Sequence, residues 1–219
     1  MTLIEQNQAP NGRVALRSIG SGVIFLALFG VLWAEVGIGG LQGLGAPWFS
    51  VVALALGLLL LVGGIALLLA SRRLPAPTTP AAIQERRRRR QWFPIIFAAE
   101  FILIAIAGLV CRALNRLDLF LPLIMLIVGL HFFPLAALFH VKNYYVVGAL
   151  LCLVAILTLL VVPEMFRLSE HQIVLWQVVL GFCGAIILWG VGFLNWRRGQ
   201  AILAHKDRWA HQIGQNLQE

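Results

Sequence analysis

Two ionisable residues, Glu100 and His131, stand alone inside long apolar runs, and they are the groups in this chain best placed to do chemistry. An ionised carboxylate near the middle of a bilayer costs at least about 2.5 kcal/mol on insertion scales, so it normally faces the interior of a bundle, has a partner, or holds a proton. At 1.5 Å per residue both groups lie roughly 12 Å in from the same end of their segments, Glu100 counted from Phe93 and His131 from His140. The link Asn115-Arg116-Leu117-Asp118 is so short that the two segments must form an antiparallel hairpin. Ala107 and Cys111 follow Glu100 at i+7 and i+11, giving that face small side chains for close helix contact. Pro134 lacks the amide hydrogen that would bond the Leu130 carbonyl one turn back, which is thereby freed beside His131. Glu100, His131 and Pro134 thus define a transport, proton or ligand site able to hold a water, a proton or a small cation. The competing reading is a buried hydrogen-bonded pair that only fixes helix register.

Other chemistries find less support. One histidine and one carboxylate fall short of the three protein ligands of a catalytic zinc site, and His140, His171, His205 and His211 lie at interfaces or in loops. No metal and no cofactor are expected. There is no Gly-x-Ser-x-Gly, His-Glu-x-x-His or glycine-rich phosphate loop. Cys111, Cys152 and Cys183 are singly spaced in apolar runs and read as small buried side chains. Glu35 and Arg112 each approach the outer end of a helix, where a cross-bundle polar pair is one expectation; a solvated Glu35 and a snorkelling Arg112 are the other.

The elements that must position these groups follow from composition. Of 219 residues, 60% are hydrophobic and 12% charged, about half the charge of a soluble domain. Lipid is therefore the main solvent. Apolar runs of about 20 residues predict an all-α polytopic protein with six transmembrane helices, at about 18–38, 48–70, 93–114, 119–139, 144–162 and 173–194. Residues 1–17 form an N-terminal tail, 71–91 a basic insert within the 18–194 membrane domain, and 164–172 a short polar loop. In 195–219, Ile202, Leu203, Trp209, Ala210, Ile213 and Leu217 share one side of a helix, which predicts an amphipathic, interfacial tail.

Charge sets the orientation. Fourteen of seventeen basic residues fall on the side that holds both termini, including Arg86, Arg87, Arg88, Arg89, Arg90, Arg197 and Arg198, so both termini are expected in the cytoplasm. Trp33, Trp48 and Trp176 fall near the opposite interface, as an aromatic belt requires. The formal charge of +8 is gathered between apolar segments rather than on a soluble face, which argues against nucleic acid. Those seven arginines are expected to contact anionic lipid headgroups, each gaining about 1 kcal/mol near the surface.

The run Gly129-Leu130-His131-Phe132-Phe133-Pro134-Leu135-Ala136, with Phe139, Tyr144-Tyr145 and Gly148 after it, resembles a segment of small multi-helix bacterial inner-membrane proteins of unassigned function. The resemblance covers roughly 93–162 and implies a multi-pass protein of the bacterial cytoplasmic membrane; it carries no activity with it. From the residues themselves, the first expectation is a small-solute or proton-linked transporter or channel-like module, with homo-oligomerisation open because six helices leave little room for a wide path. A membrane-embedded enzyme acting on a lipid or quinone is the second class, and a non-catalytic scaffold or accessory subunit the third.

Overall fold

The structure is a computed structural model and describes residues 9–74, 80–139, 141–168 and 171–216. Six helices carry the chain: α1 (Ala9–Gly40), α2 (Ala46–Arg72), α3 (Pro80–Ala113), α4 (Phe120–Phe139), α5 (Lys142–Val161) and α6 (Leu175–Asn216). Each contains a stretch long and apolar enough to cross a membrane: Gly12–Gly40, Pro47–Arg72, Arg87–Ala113, Leu117–Phe139, Asn143–Val161 and Leu175–Ala204. The apolar side chains that point outward, among them Leu109, Phe101 and Leu160, are those a bilayer would cover.

Between apolar helices in lipid there is little hydrophobic driving force, so close van der Waals contact at small residues decides which helices touch. The tightest contact joins α1 and α6, where Gly181 lies directly on the Gly37 backbone and Gly184 lies under Trp33. Trp189 of α6 fills the space beside Gly30 and donates its indole N–H to the Ala27 carbonyl at 3.3 Å. Gly20 and Gly64 bring α1 and α2 together, and Gly129 and Gly148 do the same for α4 and α5. Only α3 is loosely held: 6% of its apolar stretch is buried, against 44% for α1 and α4. Its packing is almost wholly against α4.

The helices alternate in direction, so the basic segments gather at one end. Gly22 of α1 meets the Tyr144 hydroxyl of α5, Gly63 of α2 meets Trp196 of α6, and the Arg89 guanidinium of α3 sits 5.6 Å from the Phe139 ring of α4. At the opposite end the α1–α2 link turns through Gly43 and Gly45, both at positive φ, a conformation glycine adopts without steric cost.

Three expectations need correction. Within the helical fold, most of the residues expected as a polar loop at 164–172, with 173 and 174 of the expected sixth span, form a short antiparallel hairpin, β1 (Met165–Leu168) with β2 (His171–Val174), in the register Met165↔Val174 to Leu168↔His171. Aromatic and β-branched residues such as Phe166, Ile173 and Val174 favour the extended pairing, which also satisfies backbone groups between two spans. The sixth helix accordingly begins at Leu175 rather than residue 173. Finally, the C-terminal segment is no separate helix, because α6 runs unbroken from Leu175 to Asn216. No proline interrupts it, and Gly199 is seated against the Leu67 side chain, so the helix continues where a fresh start was expected. The side chains of 205–216 and the residues 217–219 lie outside the described part, and with them the apolar face of Trp209, Ala210, Ile213 and Leu217.

The hairpin is tied to the bundle by two hydrogen bonds: the Trp176 indole donates to the Val162 carbonyl at 2.8 Å and the Leu175 amide to the Glu164 carbonyl at 3.0 Å. Trp176→Phe keeps an aromatic ring, though a smaller one, and removes the first of these. It is expected to cost about 1 kcal/mol, seen as a small drop in thermal midpoint in detergent.

Candidate functional site

Helix α3 presents one inward face, on which Ile96, Phe97, Glu100, Ile104, Ala107 and Cys111 recur at helical spacing, and Glu100 and Cys111 are its buried members. Glu100 is thirteen residues from either end of the Arg87–Ala113 stretch, at its centre. The turn that aims this face at α4 is closed locally. Arg116 donates to both Asp118 oxygens at 2.9–3.1 Å, its amide bonds the Cys111 carbonyl at 2.8 Å, and Asn115 takes a positive φ.

Glu100 and His131 then meet across the α3–α4 seam, Oε2 to Nδ1 at 3.4 Å, with both side chains buried. The approach is close but oblique, and the backbone of Ile96 also lies beside the ring, yet neither imidazole nitrogen makes an aligned hydrogen bond. A buried polar group without an aligned partner costs about 1–3 kcal/mol, and the Glu100 carboxyl and the Ile96 backbone meet this imidazole only loosely, so a better-aligned partner would be favoured there. Aromatic rings hold it in place, Phe97 edge-on at 4.9 Å and Phe132 at 6.2 Å. Among the described residues no third histidine, cysteine or carboxylate joins the pair, so two ligands are all it offers a metal ion.

Three separate voids lie along the seam between α1 and the α3–α4 hairpin, and two of them touch Glu100. At the basic end a cavity of about 100 Å³ is lined by Ser18, Ser21 and Tyr144 among apolar neighbours. Its inner walls, Phe25 and Phe132, also line a void of about 10 Å³ that touches Glu100, His131 and Leu188 of α6. That void is near the smallest size that holds one water. Next to it, sharing Phe29, Glu100 and Val128, a pocket of about 220 Å³ is lined by Trp33, Val36, Leu32 and Phe101, the last two exposed, so that it opens on the side of the bundle. On the outer side of the α3–α4 seam a separate groove of about 250 Å³ reaches the same two residues from the outer surface of the bundle, with Trp92, Ala99, Leu130 and Pro134 in its walls.

Other expected positions fall elsewhere. Pro134 is inside α4 and lines the outer groove, as does Leu130. Glu35 and Arg112 do not pair: Glu35 accepts a long hydrogen bond from Ser50 of α2 at 3.4 Å, while Arg112 is exposed on peripheral α3. The reason is that α1 packs on α2 and α6 at that end, leaving the outer turn of α3 on α4. Arg87, Arg88, Arg90, Arg197 and Arg198 are exposed, Arg89 is half-buried over Phe139, and the Arg86 side chain lies outside the described residues. The α1 wall of the seam was not anticipated. Ser18, Ser21, Gly22, Phe25 and Phe29 fall at i, i+3, i+4, i+7 and i+11, a polar-to-aromatic face that the sequence does display. No family model, curated protein or solved structure matches the chain.

Proposed function

We propose that this protein is a proton-linked transport module of a bacterial cytoplasmic membrane, in which the Glu100–His131 pair controls passage along the α1 seam. The single observation that supports it most is the sequence of three voids along α1, the smallest of which touches both Glu100 and His131 between Phe25, Phe29 and Phe132. One proton shared between a carboxyl and an imidazole leaves the pair neutral whichever group holds it. Adding or removing a proton leaves one net charge at the centre of an apolar bundle, which is costly and therefore transient. A group with that property passes protons on rather than storing them. The mostly apolar walls suit a small, weakly polar solute, with hydroxyls of Ser18, Ser21 and Tyr144 at one mouth. Both termini and the arginines are assigned to the cytoplasmic side, where exposed Arg87, Arg88, Arg90, Arg197 and Arg198 meet anionic headgroups.

The test is proton entry into proteoliposomes loaded with a pH-sensitive dye under an imposed potential. Glu100→Gln preserves shape and removes the titrating group, and is expected to cut protein-dependent proton flux roughly ten-fold or more. Equal flux in the variant and the parent overturns the reading.

A further inference from the structure

The outer groove has no part in the seam, yet it ends on the same two residues. It extends over Trp92 to Leu103 on α3 and Ile127 to Pro134 on α4, about 16 Å along the α3 axis, and opens on the outer surface of the bundle. His131 is 6% exposed and lines this groove; Glu100 and the backbone of Ile96 lie beside its ring, but neither ring nitrogen has an aligned hydrogen bond. A hydrocarbon chain resting there would leave those nitrogens unsatisfied. An anionic lipid head would have to carry its charge about 15 Å inward from Arg90, to a point beside the Glu100 carboxyl. A neutral head that both donates and accepts hydrogen bonds meets neither objection.

We propose that the outer groove binds a membrane-soluble quinone or quinol, entering sideways from the bilayer, with a ring carbonyl or hydroxyl hydrogen-bonded to His131 and Glu100. The volume of about 250 Å³ takes the ring and the first carbons of its tail, the rest lying in lipid. Trp92 and Pro134 provide flat apolar walls for the ring. The inference rests on the pair being the working site of the protein, and it names a ligand class for that site; no electron transfer is implied.

The experiment is equilibrium titration of the full-length protein in nanodiscs with a decyl-substituted benzoquinone, followed by quenching of tryptophan fluorescence. Decylbenzene, which has the tail and ring without the carbonyls, is the control. Saturable quenching by the quinone alone is expected, with its signal reduced in Trp92→Phe. His131→Leu should weaken binding about ten-fold, the worth of one buried hydrogen bond. Ala99→Phe, a change at an exposed groove position that leaves the pair intact, should abolish saturation, and it decides the matter if His131→Leu does not fold. Saturation by decylbenzene as well, or unchanged quinone affinity in Ala99→Phe, overturns the proposal. Lost binding with a Glu100-dependent proton flux would remove only this inference, whereas binding without such a flux would remove the transport reading.

Discussion

Gly181→Ala is expected to destabilise the bundle by about 1–3 kcal/mol, whereas Gly190→Ala on the same helix should stabilise it by up to about 1 kcal/mol. The two substitutions add the same methyl group to α6 and gain the same helix propensity. They differ in what the methyl meets. At residue 181 a Cβ would lie on the Gly37 amide nitrogen and Cα and 2.7 Å from the Trp33 carbonyl oxygen, all of them backbone or fixed by it, so α1 and α6 must move apart. At residue 190 nothing lies within 4 Å. Unfolding by a denaturing detergent reads both, and equal signs for the two variants would show that the α1–α6 contact is not what holds the bundle. Because α1 is one wall of the seam, the displaced helix should also raise proton leak through Gly181→Ala, a second readout from the same variant.

What the sequence disclosed and what it withheld divide along one line. Features set within a segment or by its immediate neighbour were legible. Runs of about 20 apolar residues locate the six spans, and the short Asn115–Asp118 link forces α3 onto α4, which brings Glu100 to His131 once depth and face agree. Features that depend on which distant helices touch were not. Nothing near Glu35 in the chain shows that the Gly43–Gly45 turn brings Ser50 to it, or that α3 stays at the edge and keeps Arg112 out of reach. The α1 wall of the seam belongs to the same class: its face is visible in the sequence, its partner is not. The hairpin at 165–174 was missed for another reason, since four-residue strands are too short for alternation to rise above a generic loop. At the C-terminus the amphipathic pattern of 195–219 reads as a separate tail, although the backbone has no cause to break at Asn195.

His131→Leu alone should be more damaging than His131→Leu combined with Glu100→Leu. Removing the imidazole strips Glu100 of its only ionisable partner among the described residues, while its side chain stays 7% exposed amid Phe25, Phe29 and Val128. Breaking a buried pair in this way costs about 3–5 kcal/mol, less whatever is recovered when the carboxyl takes up a proton. Glu100→Leu alone leaves an imidazole, which is neutral without any such adjustment, so its cost should be the smaller of the two. With both replaced, two leucines meet across the seam and no polar group remains to be satisfied. Stability should then return to within about 1 kcal/mol of the parent, or exceed it. A cycle in which the double variant shows the plain sum of the two single losses would mean the groups act independently, and the 3.4 Å contact would have no energetic content. The expected result has a further consequence, because a pair that can be replaced by leucines without loss of stability is not retained to hold the bundle together. If that well-folded double variant also carries no proton flux, the cost of burying a carboxylate and an imidazole at this depth is offset by what the pair does rather than by the fold it supports.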